Sequence, residues 1–130
     1  MTRRELSADT RRFILTSIPS VPYLEAVLLL RTAPGADWDV PSVARRLYVP
    51  ESRAVELLEA ASAAGIFERQ RDGNENRYRF HPSTPELAQR IDGLAEAYAE
   101  HLVPVTDLIH SRLDKRAQQF ADAFRLRKDS

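Results

Sequence analysis

Four arginines crowd into the stretch RQRDGNENRYRF, residues 69–80: Arg69 and Arg71 before a turn, Arg77 and Arg79 after it. A guanidinium carries five N–H donors in a planar fork and keeps its charge, so arginines at this density point to phosphate or carboxylate binding. Arg69 and Arg71 alternate with Gln70, and Arg77 and Arg79 with Tyr78 and Phe80, which is the period of a strand. Asp72-Gly73-Asn74 supplies the turn, because Gly and Asn tolerate positive φ. The stretch predicts a two-stranded hairpin. Its aromatics, with Phe67, root it in a core, and its arginines project from both sides toward the tip. That geometry suits tracking a nucleic-acid backbone better than reading base edges.

Arg45 and Arg46 lie upstream in PSVARRLYV. If these two and the four hairpin arginines all reached phosphate, the salt dependence of binding would have a slope of about −0.9 per contact, roughly −5 in total. The competing expectation is that half of the arginines pair on the surface with Glu68, Asp72, Glu75, Glu56 or Glu59, where each pair contributes about 0–1 kcal/mol.

Other chemistries lack their residues. There is no cysteine, hence no disulfide, thiol nucleophile or thiolate metal site. His81, His101 and His110 are not spaced to share one helix face, and no HExxH or glycine-rich phosphate loop occurs. No nucleophile-elbow pattern accompanies the Ser, His and Asp residues. Neither an enzyme nor a cofactor nor a metal is expected.

The chain of 130 residues, 43% hydrophobic and 29% charged, suits one ordinary domain. Its 19 basic and 19 acidic residues balance, which argues against a uniformly basic nucleic-acid binder and leaves local patches to decide. Only Lys115 and Lys128 are lysines; the other 17 basic residues are arginine, a bias that a GC-rich genome also produces. MTRRELSADTRRF lacks the apolar core of a signal peptide, and the apolar run AVLLL at 26–30 is too short to span a bilayer. A cytoplasmic protein without membrane insertion is expected.

Periodicity places a helix over 6–17 with Ser7 as cap, broken by Pro19 and Pro22, and a buried apolar helix over 23–32. Trp38 falls in a short strand or an anchoring loop. A helix over 41–49 shows Val43, Ala44 and Leu47 on one side. The next starts at about Pro50, in the first helical position, with apolar Ala54, Val55, Leu58, Ala61 and Ala64, and stops at Gly65. Thr84 and Pro85 start a long helical region, kinked or broken at Pro104 and resuming with Val105, Leu108, Ile109 and Leu113. Its seam of Leu87, Ile91, Leu94, Tyr98 and Leu102 runs near the 3.5-residue period of a coiled coil.

Helix, short extended piece, helix, turn, helix, hairpin: over residues 23–81 this order resembles a winged helix-turn-helix domain of the broad bacterial regulator type. The resemblance rests on Val43-Ala44-xx-Leu47, Ser52-xx-Val55-xx-Leu58, Gly65-Ile66-Phe67-Glu68-Arg69 and Arg77-Tyr78-Arg79-Phe80. It implies a mostly helical α+β fold, a winged core with a helix before it and a long helical extension after it. The expected divisions are an N-terminal arm at 1–21, the winged domain at 22–82 and the extension at 83–130. The resemblance also implies that the helix from about 50 to 64 enters a DNA major groove, with the hairpin on neighbouring backbone.

Its outward residues would be Glu51, Ser52, Arg53, Glu56, Glu59 and Ala60. Arg45, Arg46, Ser52 and Arg53 would supply groove contacts, and Arg69, Arg71, Arg77 and Arg79 would hold the backbone of double-stranded DNA. Three glutamates facing phosphates are an electrostatic cost, so a second expectation is a protein-docking module that offers Glu51, Glu56 and Glu59 to a basic partner. The Leu87–Leu102 seam would either build a homodimer, as flanking helices do in the resembling regulators, or fold back as an intramolecular cap on the domain. Phe120 and Phe124 with Arg125-Leu126-Arg127-Lys128 form an amphipathic end suited to docking or to an anionic surface, or else a frayed, solvated terminus.

Overall fold

A computed structural model describes the backbone of residues 6–128, and their side chains except at 112–116 and 124–128. The elements are α1 (Ala8–Ser17), α2 (Val21–Arg31), α3 (Val40–Leu47), α4 (Glu51–Ala63), β1 (Phe67–Asp72), β2 (Glu75–Phe80), α5 (Pro85–Glu100) and α6 (Leu102–Lys128). The side chains of Leu113, Phe124 and 125–128 lie outside the described residues, and with them most of the expected amphipathic end. The chain forms two compact units, one spanning Val21–Asp92 and the other combining the segments on either side of it, with α5 shared between them.

In the Val21–Asp92 unit, α2 buries Tyr23, Leu24, Ala26, Val27 and Leu30, as its nearly all-apolar sequence requires. The helix begins at Val21, so Pro22 sits in its first turn, where a missing N–H has no intrahelical role. Asp39 caps α3 by accepting from the Ser42 N–H at 2.8 Å. Hydrogen bonding by the Ser42 side chain, then by its N–H, holds the Asp39 carboxyl below the ordinary carboxylate value. Helix α4 starts one residue later than expected. Pro50 is its N-cap and offers no side-chain acceptor. Its buried face is Ala54, Leu57, Leu58 and Ala61. Val55 and Ala64, expected inside, are exposed, because the helix is rotated to set Leu57 rather than Val55 inward.

Gly65 ends α4 in the left-handed region (φ +81), where a Cβ would lie 2.6 Å from Ser83 Oγ. The antiparallel hairpin pairs Phe67 with Phe80, Arg69 with Tyr78 and Asp72 with Glu75. Gly73 turns it at φ +65. Trp38 extends the sheet by one bridge, exchanging backbone hydrogen bonds of 2.8 and 2.9 Å with Tyr78. Thr84 caps α5 through the Leu87 N–H, and Arg31 of α2 holds Asp92 at 3.0 Å.

In the other unit, Ser7 caps α1, which packs on α6 and buries Phe13 and Ile14. Val105 and Ile109 are the buried residues of α6 among the described side chains. The kink or break expected near Pro104 is a break at His101, three residues earlier; Pro104 falls in the first turn of α6, where proline removes no helical hydrogen bond. Among the described residues no single helix is long and apolar enough to cross a membrane.

Candidate nucleic-acid interface

α3 and α4 are joined by three residues, Tyr48-Val49-Pro50, and pack on one another, with the β1–β2 hairpin beside α4. The joint is set by Pro50, which disfavours helical geometry at Val49 and forces the stop onto Tyr48. Tyr48 takes φ 57 and ψ 44. Its N–H reaches the Arg45 carbonyl at 3.4 Å, and the Val49 N–H reaches that of Ala44 at 3.1 Å. This is the Schellman pattern, normally closed by glycine. A bulky side chain there costs about 1–2 kcal/mol. Tyr48 is the single non-glycine residue with positive φ among the described residues, and it is 95% exposed.

A carboxylate ties the hairpin to α4. Glu59 accepts from the Tyr78 hydroxyl and from Arg69 Nη1, each at 2.6 Å. Burial, then the hydrogen bond to Glu59 and that carboxylate's charge, push the Tyr78 hydroxyl up to about 12. Glu59 is therefore not the outward docking residue expected from helical spacing. Its turn of α4 lies under the hairpin, which takes up both oxygens.

Strand pairing puts Arg69 and Arg71 on one face of the hairpin and Arg77 and Arg79 on the other, so the four do not form one flat cationic surface. Arg77 Nε pairs with Asp72 at 3.3 Å and Arg79 Nε with Asp37 at 3.1 Å. Arg71 donates to the Gly73 carbonyl at 3.3 Å and has no carboxylate partner among the described residues. On α4, Arg53 pairs with Glu56 at 3.0 Å. On α3, Arg45 reaches Ser42 Oγ at 3.4 Å, and Arg46 lies over the Trp38 ring, 5.7 Å from its centroid. Ser52 is exposed.

The three glutamates of α4 consequently do not act as three bare charges. Glu56 and Glu59 are ion-paired, which leaves Glu51, a first-turn residue whose charge also complements the helix N-terminus.

No protein-family model matches the chain, and no curated protein matches its sequence. Among solved structures it is similar to the homodimeric winged helix-turn-helix DNA-binding domain (fragment 1–100) of a possible ArsR-family transcriptional regulator from Mycobacterium bovis. The identity is 19%, over 78% of this chain and 94% of that one, at a TM-score of 0.54. It is similar to MepR, a transcription regulator of the Staphylococcus aureus multidrug efflux pump MepA, at 10% identity over 92% and 86% of the two chains and a TM-score of 0.55. A MarR family protein from Bacillus stearothermophilus is 21% identical over 86% and 82%, with a TM-score of 0.51.

The chain has a winged helix-turn-helix fold. The β1–β2 hairpin is its wing, and α4 is the second helix of its helix-turn-helix. Between them lies an open groove of about 460 Å³. Val40, Pro41, Val55 and Tyr78 contribute apolar surface to it, and Asp39, Glu51, Glu59 and Glu75 bring four carboxylates. Ser52, Asn74 and Asn76 complete the polar lining. Asp39 feels the charges of Arg77 and Arg45, so cations stand near the groove although no Arg or Lys lines it.

Two residues of this region escape a helical-wheel reading. Tyr48 is signalled by the absence of glycine between α3 and Pro50. Asn76 shares a hairpin face with Arg69 and Tyr78, which follows only once the register is known.

Proposed function

We propose that the chain is a DNA-binding transcriptional regulator acting as a dimer, with α4 at the major groove and the wing on adjacent backbone. The observation that carries this reading is the exposed N-terminal part of α4, where Glu51 and Ser52 line the groove shared with the wing and Arg53 is exposed next to them. The regulators that share the fold support it, one of them a homodimeric DNA-binding domain. Arg45, Arg46, Ser52 and Arg53 are the groove-side candidates and Arg69, Arg71, Arg77 and Arg79 the wing candidates. Of these, Arg45 and Arg71 carry most weight, since neither is ion-paired among the described residues and Arg46 is stacked on Trp38.

Fluorescence anisotropy with a duplex of about 30 base pairs, enough for two half-sites a helical turn apart, tests the reading. Micromolar binding that weakens steeply between low and near-physiological salt is the expected result. The absence of binding at low salt would favour a second reading, a protein-docking module. The four-carboxylate groove supports that alternative. Glu51 and Glu75 would then meet a basic partner, with Glu56 and Glu59 held by their arginines.

For the dimer, the seam of Leu87, Ile91, Leu94, Tyr98 and Leu102 needs revision. Ile91 and Leu94 are fully buried within one protomer, Leu87 and Tyr98 are half-buried, and Leu102 is 51% exposed. The better candidate surface is on α6, where Val103 beside Leu102 is 63% exposed and residues 117–123 are exposed on all sides of the helix. A solvated helix of this length is marginal alone, which favours a second copy against it. Light scattering is expected to give the mass of two chains, and the double change Leu102→Glu, Val103→Glu the mass of one. A monomeric parent chain would dismiss the dimer.

A further inference from the structure

We infer that Tyr48 is a DNA-backbone contact, its hydroxyl donating to a phosphate oxygen at the turn between α3 and α4. The inference rests on the DNA-binding reading above and deepens it. The fold makes the same helix stop twice. After α4 the Gly65 N–H bonds the Ser62 carbonyl and the Ile66 N–H that of Ala61, both at 3.0 Å. After α3 the equivalent bonds run from Tyr48 and Val49 to Arg45 and Ala44. Both stops use the left-handed backbone, φ +81 in one and φ 57 in the other. Where the stop is internal to the fold the residue is glycine. Where it faces outward it is a tyrosine, the residue type that this backbone disfavours.

Among the described residues, nothing inside the protomer accounts for that choice. The side chain is 95% exposed, so it buries no ring surface in exchange for the strain. Its chain neighbours carry charge of both signs, Arg45 and Arg46 before it and Glu51 after it. Arg45 and Arg46 occupy the last turn of α3, and α4 begins at Glu51, just beyond Val49-Pro50, with no side-chain cap on its first turn. An exposed phenol that follows Arg45 and Arg46 in the chain, on the turn of a helix-turn-helix, matches a phosphate: the arginines supply charge to the same end of α3 and the tyrosine a directional donor. The contact positions the protein on the duplex and carries no base information.

Full-length Tyr48→Gly and Tyr48→Phe are the test, each read by thermal melting and by anisotropy with the same duplex at two salt concentrations. Tyr48→Gly is expected to melt higher than the parent chain, since glycine relieves the backbone, and yet bind DNA about tenfold more weakly. Tyr48→Phe should melt like the parent chain and lose most of the same affinity. In both, the salt slope should stay unchanged, because the lost donor is neutral; an arginine contact would lower it by about 1. A Tyr48→Gly protein that is folded and binds like the parent chain overturns the inference and leaves the DNA reading intact. A parent chain that binds no duplex overturns both. Variants that change the oligomeric mass and not the DNA affinity overturn the phosphate contact and assign Tyr48 to a contact between copies.

Discussion

Glu59→Ala is expected to destabilise the winged unit by about 2–4 kcal/mol, a loss dominated by one hydrogen bond rather than by the ion pair. The Tyr78 hydroxyl is the reason. Tyr78 is only 1% exposed, and its donor meets the Glu59 carboxylate at 2.6 Å. Removing the acceptor strands a buried O–H, and hydrogen bonds to charged groups contribute about 1.5–3 kcal/mol. The Arg69 pair adds little, because the Arg69 and Glu59 side chains are 52% and 38% exposed. Thermal melting of Glu59→Ala should therefore fall by on the order of 10 °C. Arg69→Ala should barely move it. Equal losses from the two changes would mean that the ion pair, not the hydroxyl, holds wing to helix.

The same clamp has an alkaline signature. The Tyr78 hydroxyl is raised from 10.0 to about 12, so the folded state keeps a proton that the unfolded state releases. The associated stability is intact below pH 10 and is lost as pH rises toward 12. Tyr78→Phe should abolish that part of the alkaline loss. It leaves the packing of the ring in place, which separates the hydroxyl from the aromatic core.

Much of the scaffold was legible because its signals are local. Ser7 and Thr84 as caps, Gly65 as a stop and Gly73 in the turn are decided within four residues of themselves. The arginines were not legible in the same way. Arg79 finds Asp37 across a long stretch of sequence, and Arg69 finds Glu59 on another element. Both pairings depend on hairpin register and on the rotation of α4. The exchange of Val55 for Leu57 in the core has the same origin: both fit a helical stripe, and packing against neighbouring elements chooses between them. Ile91 and Leu94 follow a coiled-coil period, yet the protomer buries them, since a seam pattern alone does not say which chain fills it.

Arg45→Ala combined with Arg71→Ala is expected to weaken duplex binding roughly 10–50-fold near physiological salt and to lower the salt slope by about 2. Arg77→Ala combined with Arg79→Ala should do far less, although it removes the same number of positive charges. The difference lies in what each arginine leaves behind. Arg77 and Arg79 are held by Asp72 and Asp37, so a phosphate must displace a carboxylate to reach them, and their loss bares that carboxylate. Among the described residues Arg45 and Arg71 hold only a serine hydroxyl and a backbone carbonyl, which a phosphate replaces at little cost. Register reinforces the contrast. Arg71 shares the hairpin face of Arg69 and Tyr78, which is turned to α4, whereas Arg77 and Arg79 occupy the reverse face. A duplex lying along α4 meets the first face. If the Arg77, Arg79 double variant proved the weaker binder, the duplex would have to lie against the reverse face of the wing, and α4 would not be the helix that enters the groove.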